Sequence, residues 1–185
     1  GWLLSGGALG TSTPPFGGTD VIDITFTTPG IYDVTLIVRS LSSNNCGNDT
    51  ITKQICVTGP PTAIFTASPN QGCVPLNIST LNNSTVVQNC VPSTYAWAVA
   101  FAPISCSNNN GAFAYTNSTT SNSAAPSIVL QDAGNYTLTL TASNVCGSTI
   151  ANQVISVGSP PIVTVSPINS VCGTITFTPS GTFNG

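Results

Sequence analysis

With 185 residues the chain is long enough for one or two domains with a real core, and its 41% apolar content is ordinary for a folded protein. Only 4% of the residues are charged, against roughly 25% in average proteins, so the surface must be wetted by Ser, Thr, Asn and Gly rather than by ions. A net charge of −3, with Arg39 and Lys53 as the two cations, excludes neutralising a row of phosphates or gripping an anionic bilayer, so neither a nucleic-acid partner nor direct membrane insertion is expected.

Along the chain, strand patterns dominate. Tyr32, Val34, Leu36 and Val38 alternate with polar neighbours, and Ile51, Ile55 and Val57 mark a following strand. Pro60-Pro61 lacks amide donors and favours extended backbone, which predicts a short semi-rigid hinge and a domain boundary. Strands are then expected near 62–67, 76–82, 94–101 (carrying Trp97), 113–116, 127–131, 135–144 and 148–157. Tyr136, Leu138, Leu140 and Ala142 face inward, and Ile150, Val154 and Val157 mark the last of these strands. A second Pro-Pro pair at 160–161 sets the next boundary, and helix content should be minimal because no apolar 3.6-residue period is sustained.

The pattern repeats. Gly30 and Tyr32 recur as Gly134 and Tyr136, while Cys46-Gly47 recurs as Cys146-Gly147 and Gly59-Pro60-Pro61 as Gly158-Ser159-Pro160-Pro161. Ser166-Pro167 and Cys172 echo Ser68-Pro69 and Cys73, and Trp2 corresponds to Trp97. A period of about one domain length predicts a tandem array. The expected division is 1–59, the later part of a repeat from its third strand onward; 60–158, a complete repeat; and 159–185, the start of the next.

Gly30-Ile31-Tyr32 and Gly134-Asn135-Tyr136 look like a tyrosine corner, in which the ring packs on the core edge and the hydroxyl bonds nearby backbone. With Pro29-Gly30-Ile31-Tyr32-Asp33-Val34-Thr35-Leu36 and Asn144-Val145-Cys146-Gly147, this resembles the PKD-like family of immunoglobulin-fold repeats. The Cys-, Thr- and Asn-rich version resembles repeats of very large secreted Bacteroidota surface proteins, including mobile gliding-motility adhesins exported by the type IX pathway. The resemblance implies an all-β chain of tandem immunoglobulin-like sandwiches, in which Gly30, Tyr32, Gly134, Tyr136, Trp2 and Trp97 are structural. It also marks Thr50, within Asp49-Thr50-Ile51, as a candidate O-glycosylation site. The family's Trp-Asp-Phe-Gly-Asp-Gly is absent, because Ala98, Val99 and Ala100 follow Trp97, so no carboxylate-based cation site is implied.

Seven cysteines without a CxxC pair or any His point to an oxidising compartment and away from zinc. Four of them, Cys73, Cys90, Cys106 and Cys146, fall in the complete repeat and allow three pairings. Sandwich topology favours Cys73–Cys106 at one pole and Cys90–Cys146 at the other. Cys46, Cys56 and Cys172 are then expected to pair outside the segment, with a Cys46–Cys56 hairpin bridge as the alternative.

No catalytic residue, cofactor site or metal site is expected. His, Glu and Met are absent, Asp20 and Asp23 read as solvated loop carboxylates, and Ser or Thr nucleophiles lack a base. The leading expectation is a non-catalytic structural and adhesive segment of an extracellular cell-surface protein, a stalk or filament. Its partners would be neighbouring repeats of the same chain, surface glycans or other surface proteins. The alternatives are an accessory binding module of a secreted glycan- or protein-degrading enzyme, or an ice- or carbohydrate-binding adhesin that uses Thr137, Thr139 and Thr141.

Overall fold

The computed structural model describes residues 2–5, 24–39, 47–104, 110–164 and 180–182. In chain order the strands are β1 (Trp2–Ser5), β2 (Gly30–Arg39), β3 (Asn48–Val57), β4 (Pro61–Thr62) and β5 (Phe65–Ser68). They continue as β6 (Gln71–Cys73), β7 (Leu76–Asn82), β8 (Thr85–Val86), β9 (Thr94–Pro103) and β10 (Phe113–Thr116). The last are β11 (Ser127–Leu130), β12 (Gly134–Asn144), β13 (Gly147–Gly158), β14 (Ile162–Thr164) and β15 (Ser180–Thr182). No helix occurs among the described residues, and the chain is all-β.

Contacts divide the chain into two compact units. The first comprises residues 1–63, 84–94 and 142–149; the second comprises 64–83, 95–141 and 150–185. In the first unit β1, β2 and β3 form an antiparallel sheet in that order, with Tyr32 opposite Ile55 and Leu36 opposite both Ile51 and Trp2. The period-two alternation buries Tyr32 and Val34 while Ile31 and Asp33 point the other way. Val38, expected inward, is 56% exposed at the far end of β2.

The second unit holds two four-stranded sheets, ordered β10-β11-β7-β5 and β6-β13-β12-β9, an arrangement consistent with a β-sandwich. Their apolar faces share one core. Phe65 of β5 meets Trp97 of β9 edge to face, with ring centroids 4.8 Å apart. Ile78, Ile128 and Leu130 from one sheet and Tyr136, Leu138, Leu140, Ile155 and Val157 from the other are all buried. Burying side chains of this size stabilises the fold by about 1.5–3 kcal/mol each. In β13 the buried residues are Ile155 and Val157, whereas Ile150 and Val154 fall on the opposite, exposed face. That split follows from the two-residue period once Val157 faces inward.

The strand expected at 62–67 is realised as β4 and β5, and an additional strand, β6, follows it. β5 pairs antiparallel with β7, and then β6 pairs in parallel with β13 in the other sheet. Pro69 stands between them and has no amide to continue the first ladder. The Gln153 side chain closes the seam, donating to the Ala67 carbonyl and accepting from its amide, both at 2.8 Å.

Two tyrosines occupy matching corners. The Tyr32 hydroxyl donates to the Thr28 carbonyl at 2.7 Å, and its ring packs on Phe26 with centroids 4.4 Å apart. The Tyr136 hydroxyl lies 3.1 Å from the Asp132 carbonyl and accepts the Asp132 amide at 3.2 Å, with Phe101 at 4.9 Å between centroids. Gly134 permits the second arrangement, since a Cβ there would overlap the Phe101 ring. Burial pushes the Tyr136 phenol above its ordinary pKa; the hydrogen bond from Asp132 backbone pulls it down and the Asp132 charge adds a smaller upward push.

Candidate functional site

Among the described residues no three His, Cys, Asp or Glu side chains converge on a metal-sized site. Asp20 and Asp23 lie outside the described residues. Asp132 is committed to structure, its carboxylate accepting the Ala112 amide at 2.7 Å. The densest polar construction in the first unit is instead the connection that follows β3.

Residues 58–63 contain two adjacent prolines, so the amides left to satisfy are those of Thr58, Gly59, Thr62 and Ala63, together with the carbonyls. Neighbouring segments meet them. The Gly59 amide donates to the Val87 carbonyl at 3.1 Å, and the Asn144 side chain donates to the Gly59 carbonyl at 2.8 Å. The Thr149 hydroxyl accepts the Ala63 amide at 2.7 Å and donates to the Pro61 carbonyl at 2.8 Å. The Cys146 thiol points at the Thr58 carbonyl, 3.4 Å away. β4 pairs antiparallel with β8, setting Pro61 opposite Val86 and Thr62 opposite Thr85.

Packing completes the arrangement. Pro61 is fully buried, and a Cβ on the buried Gly59 would come within 3.0 Å of the Pro29 ring. The hinge expected at Pro60-Pro61 is therefore a clamp. Its donors, Asn144 and Thr149, come from a hairpin some 85 to 88 residues further along the chain.

A disulfide reinforces the clamp and overturns part of the expected pairing. Cys56, at the end of β3, is bonded to Cys90, with their Cα atoms 5.8 Å apart. The Cys90–Cys146 pair is not formed, and Cys56 has its partner inside the segment. The reason is geometric. The clamp draws the segment after β8 against the end of β3, within the Cα reach of a disulfide. Cys146 and Cys73 are exposed free thiols, and Cys106, the expected partner of Cys73, is not among the described residues. Cys46, Cys106 and Cys172 lie outside the described residues.

The remaining singled-out residues are placed as follows. Trp97 is 5% exposed and its indole donates to the Ser123 carbonyl at 2.9 Å, so it is a core residue and no sugar platform. Trp2 is in β1, opposite Leu36. Thr50 is exposed on β3, with its amide bonded to the Asp49 carboxylate at 2.8 Å. Thr137, Thr139 and Thr141 form a single half-buried row on β12, while the outward positions of β9 are Ala96, Ala98 and Ala100 and those of β13 are Asn152 and Val154. A single row of hydroxyls, flanked by alanines on one side and by Asn152 and Val154 on the other, is not a two-dimensional lattice.

No family model, curated protein or solved structure matches this chain.

Proposed function

We propose that the chain is a non-catalytic, load-bearing segment of a tandem array of immunoglobulin-like repeats of PKD type, within the stalk or filament of a large extracellular surface protein. The reading is carried by the tyrosine corner. The same Gly-x-Tyr stands at 30–32 and 134–136, and both hydroxyls bond the carbonyl four residues upstream, Thr28 and Asp132. It is supported by strand order. β10-β11-β7-β5 over β6-β13-β12-β9 is the order of an immunoglobulin-type sandwich with its first strand shared between sheets, and β1-β2-β3 runs as β9-β12-β13 does. The disulfide and the low charge suit an oxidising exterior.

Single-molecule extension of the full chain, held by its two ends, tests the load-bearing role. Discrete rupture events separated by low-force intervals are expected. Smooth extension without rupture would sink it, and specific capture of a glycan by the full chain on an array would favour an accessory binding module instead.

A further inference from the structure

Cys56 and Cys90 are 34 positions apart in sequence, and residues 57–89 between them include the whole clamped connection together with β4 to β8. One cysteine ends β3 and the other follows β8, so the two sulfurs form a covalent path that avoids everything between. Within the bypassed stretch the connection holds by a two-residue ladder and a handful of hydrogen bonds, among them the Gly59 amide to Val87 and Thr149 to both Pro61 and Ala63. Bonds of that kind contribute modestly one at a time.

We propose that the Cys56–Cys90 disulfide is a load bypass: tension arriving along β3 crosses from Cys56 to Cys90 through sulfur, leaving residues 57–89 out of the force path. This rests on the reading of the chain as an array element under tension. Strands β5, β6 and β7 then stay folded on their sheets while force passes along the chain from Cys90 into β9. The clamp at 58–62 is also spared, because its two flanks are joined covalently.

The second connection differs at the decisive position. A shift of 100 residues carries Cys46-Gly47 onto Cys146-Gly147 and Pro60-Pro61 onto Pro160-Pro161, and it carries Cys56 onto Ser156. Ser156 cannot form a disulfide; its hydroxyl instead bonds the Asn135 side chain at 3.0 Å. The two connections, similar in sequence, therefore differ at this position: the first is bypassed through sulfur, whereas the second has no cysteine at 156 to anchor the same bypass.

Force extension in oxidising and reducing buffer tests this on the full chain. The 34 residue-to-residue steps between the two cysteines would add roughly 110 Å to the fully extended length once released, taking about 3.3–3.6 Å per step less the 5.8 Å already spanned. The expected result is a contour length longer by that amount in dithiothreitol or in the Cys56→Ser/Cys90→Ser variant, and a peptide map joining Cys56 to Cys90 in the oxidised protein. Should the variant fail to fold, thiol added to oxidised protein already held extended must produce a single step of the same size. Equal lengths in both buffers, or a map joining Cys90 to Cys146, would overturn the bypass while leaving the rupture events, and with them the load-bearing reading, intact. Loss of the rupture events themselves would remove the reading and leave the length difference standing as chemistry alone.

Discussion

Replacing Tyr136 by Phe removes one oxygen from a fully buried side chain and leaves the ring against Phe101 unchanged in shape. The hydroxyl accepts the Asp132 amide at 3.2 Å and has the Asp132 and Ala112 carbonyls each 3.1 Å away, but its single proton serves one of them at a time. Ala112 keeps a second donor, the Gln131 amide at 2.9 Å, so its carbonyl stays satisfied. The Asp132 amide has no such reserve. Losing a net hydrogen bond costs about 1 kcal/mol, and stranding a part-buried donor adds about 1–3 kcal/mol, so a loss of about 2–4 kcal/mol is expected. At Tyr32 the same change breaks a bond to the carbonyl of Thr28, which is exposed and which water can re-satisfy, so about 1 kcal/mol is expected there. Native-state hydrogen exchange of the oxidised full chain separates the two: Leu138 and Leu140 report on the Tyr136 change, Val34 and Leu36 on the Tyr32 change. Acceleration by roughly thirty-fold or more at the first pair and about five-fold at the second is the expected result, at 1.36 kcal/mol per factor of ten. Equal effects, or a larger one at Tyr32, would refute the hydrogen-bond reasoning.

Gly134→Ala forces a methyl into the Phe101 ring and toward the Ala102 carbonyl, on a backbone that L residues rarely adopt, so a loss of about 1–3 kcal/mol or more is expected, read as a lowered Tm with Phe101 ring-current shifts displaced. Alkaline pH should also destabilise. Burial raises the Tyr136 and Tyr115 phenols above 10.0, so the stability they contribute is complete below pH 10 and falls as pH rises through their folded pKa values; urea midpoints should be flat from neutrality to about pH 9 and drop beyond 10, less steeply in Tyr136→Phe.

Much of the strand layout was readable because it is local. Alternation over 76–82 and 113–116 coincides with β7 and β10, and the inward row of β12 needs only its own period. What the residues hid is non-local. The additional strand β6 depends on Pro69 ending the β5 ladder together with a parallel place beside β13, which no alternation signals. The clamp depends on Asn144 and Thr149, whose side chains reach backbone far upstream and carry no motif. Confining each cysteine to its own repeat led away from Cys56–Cys90, because that bond joins segments the repeat boundary had separated. Pro60-Pro61 alone suggests a bend; only its partners make it rigid.

The most direct test is immunogold labelling of intact cells that make this protein, with antibodies raised against the folded, oxidised 185-residue chain. Gold standing away from the envelope on extended structures, and lost when surface proteins are shaved by protease, is the outcome a stalk requires. Label confined to the cell interior, or to a soluble secreted enzyme in the medium, would contradict it.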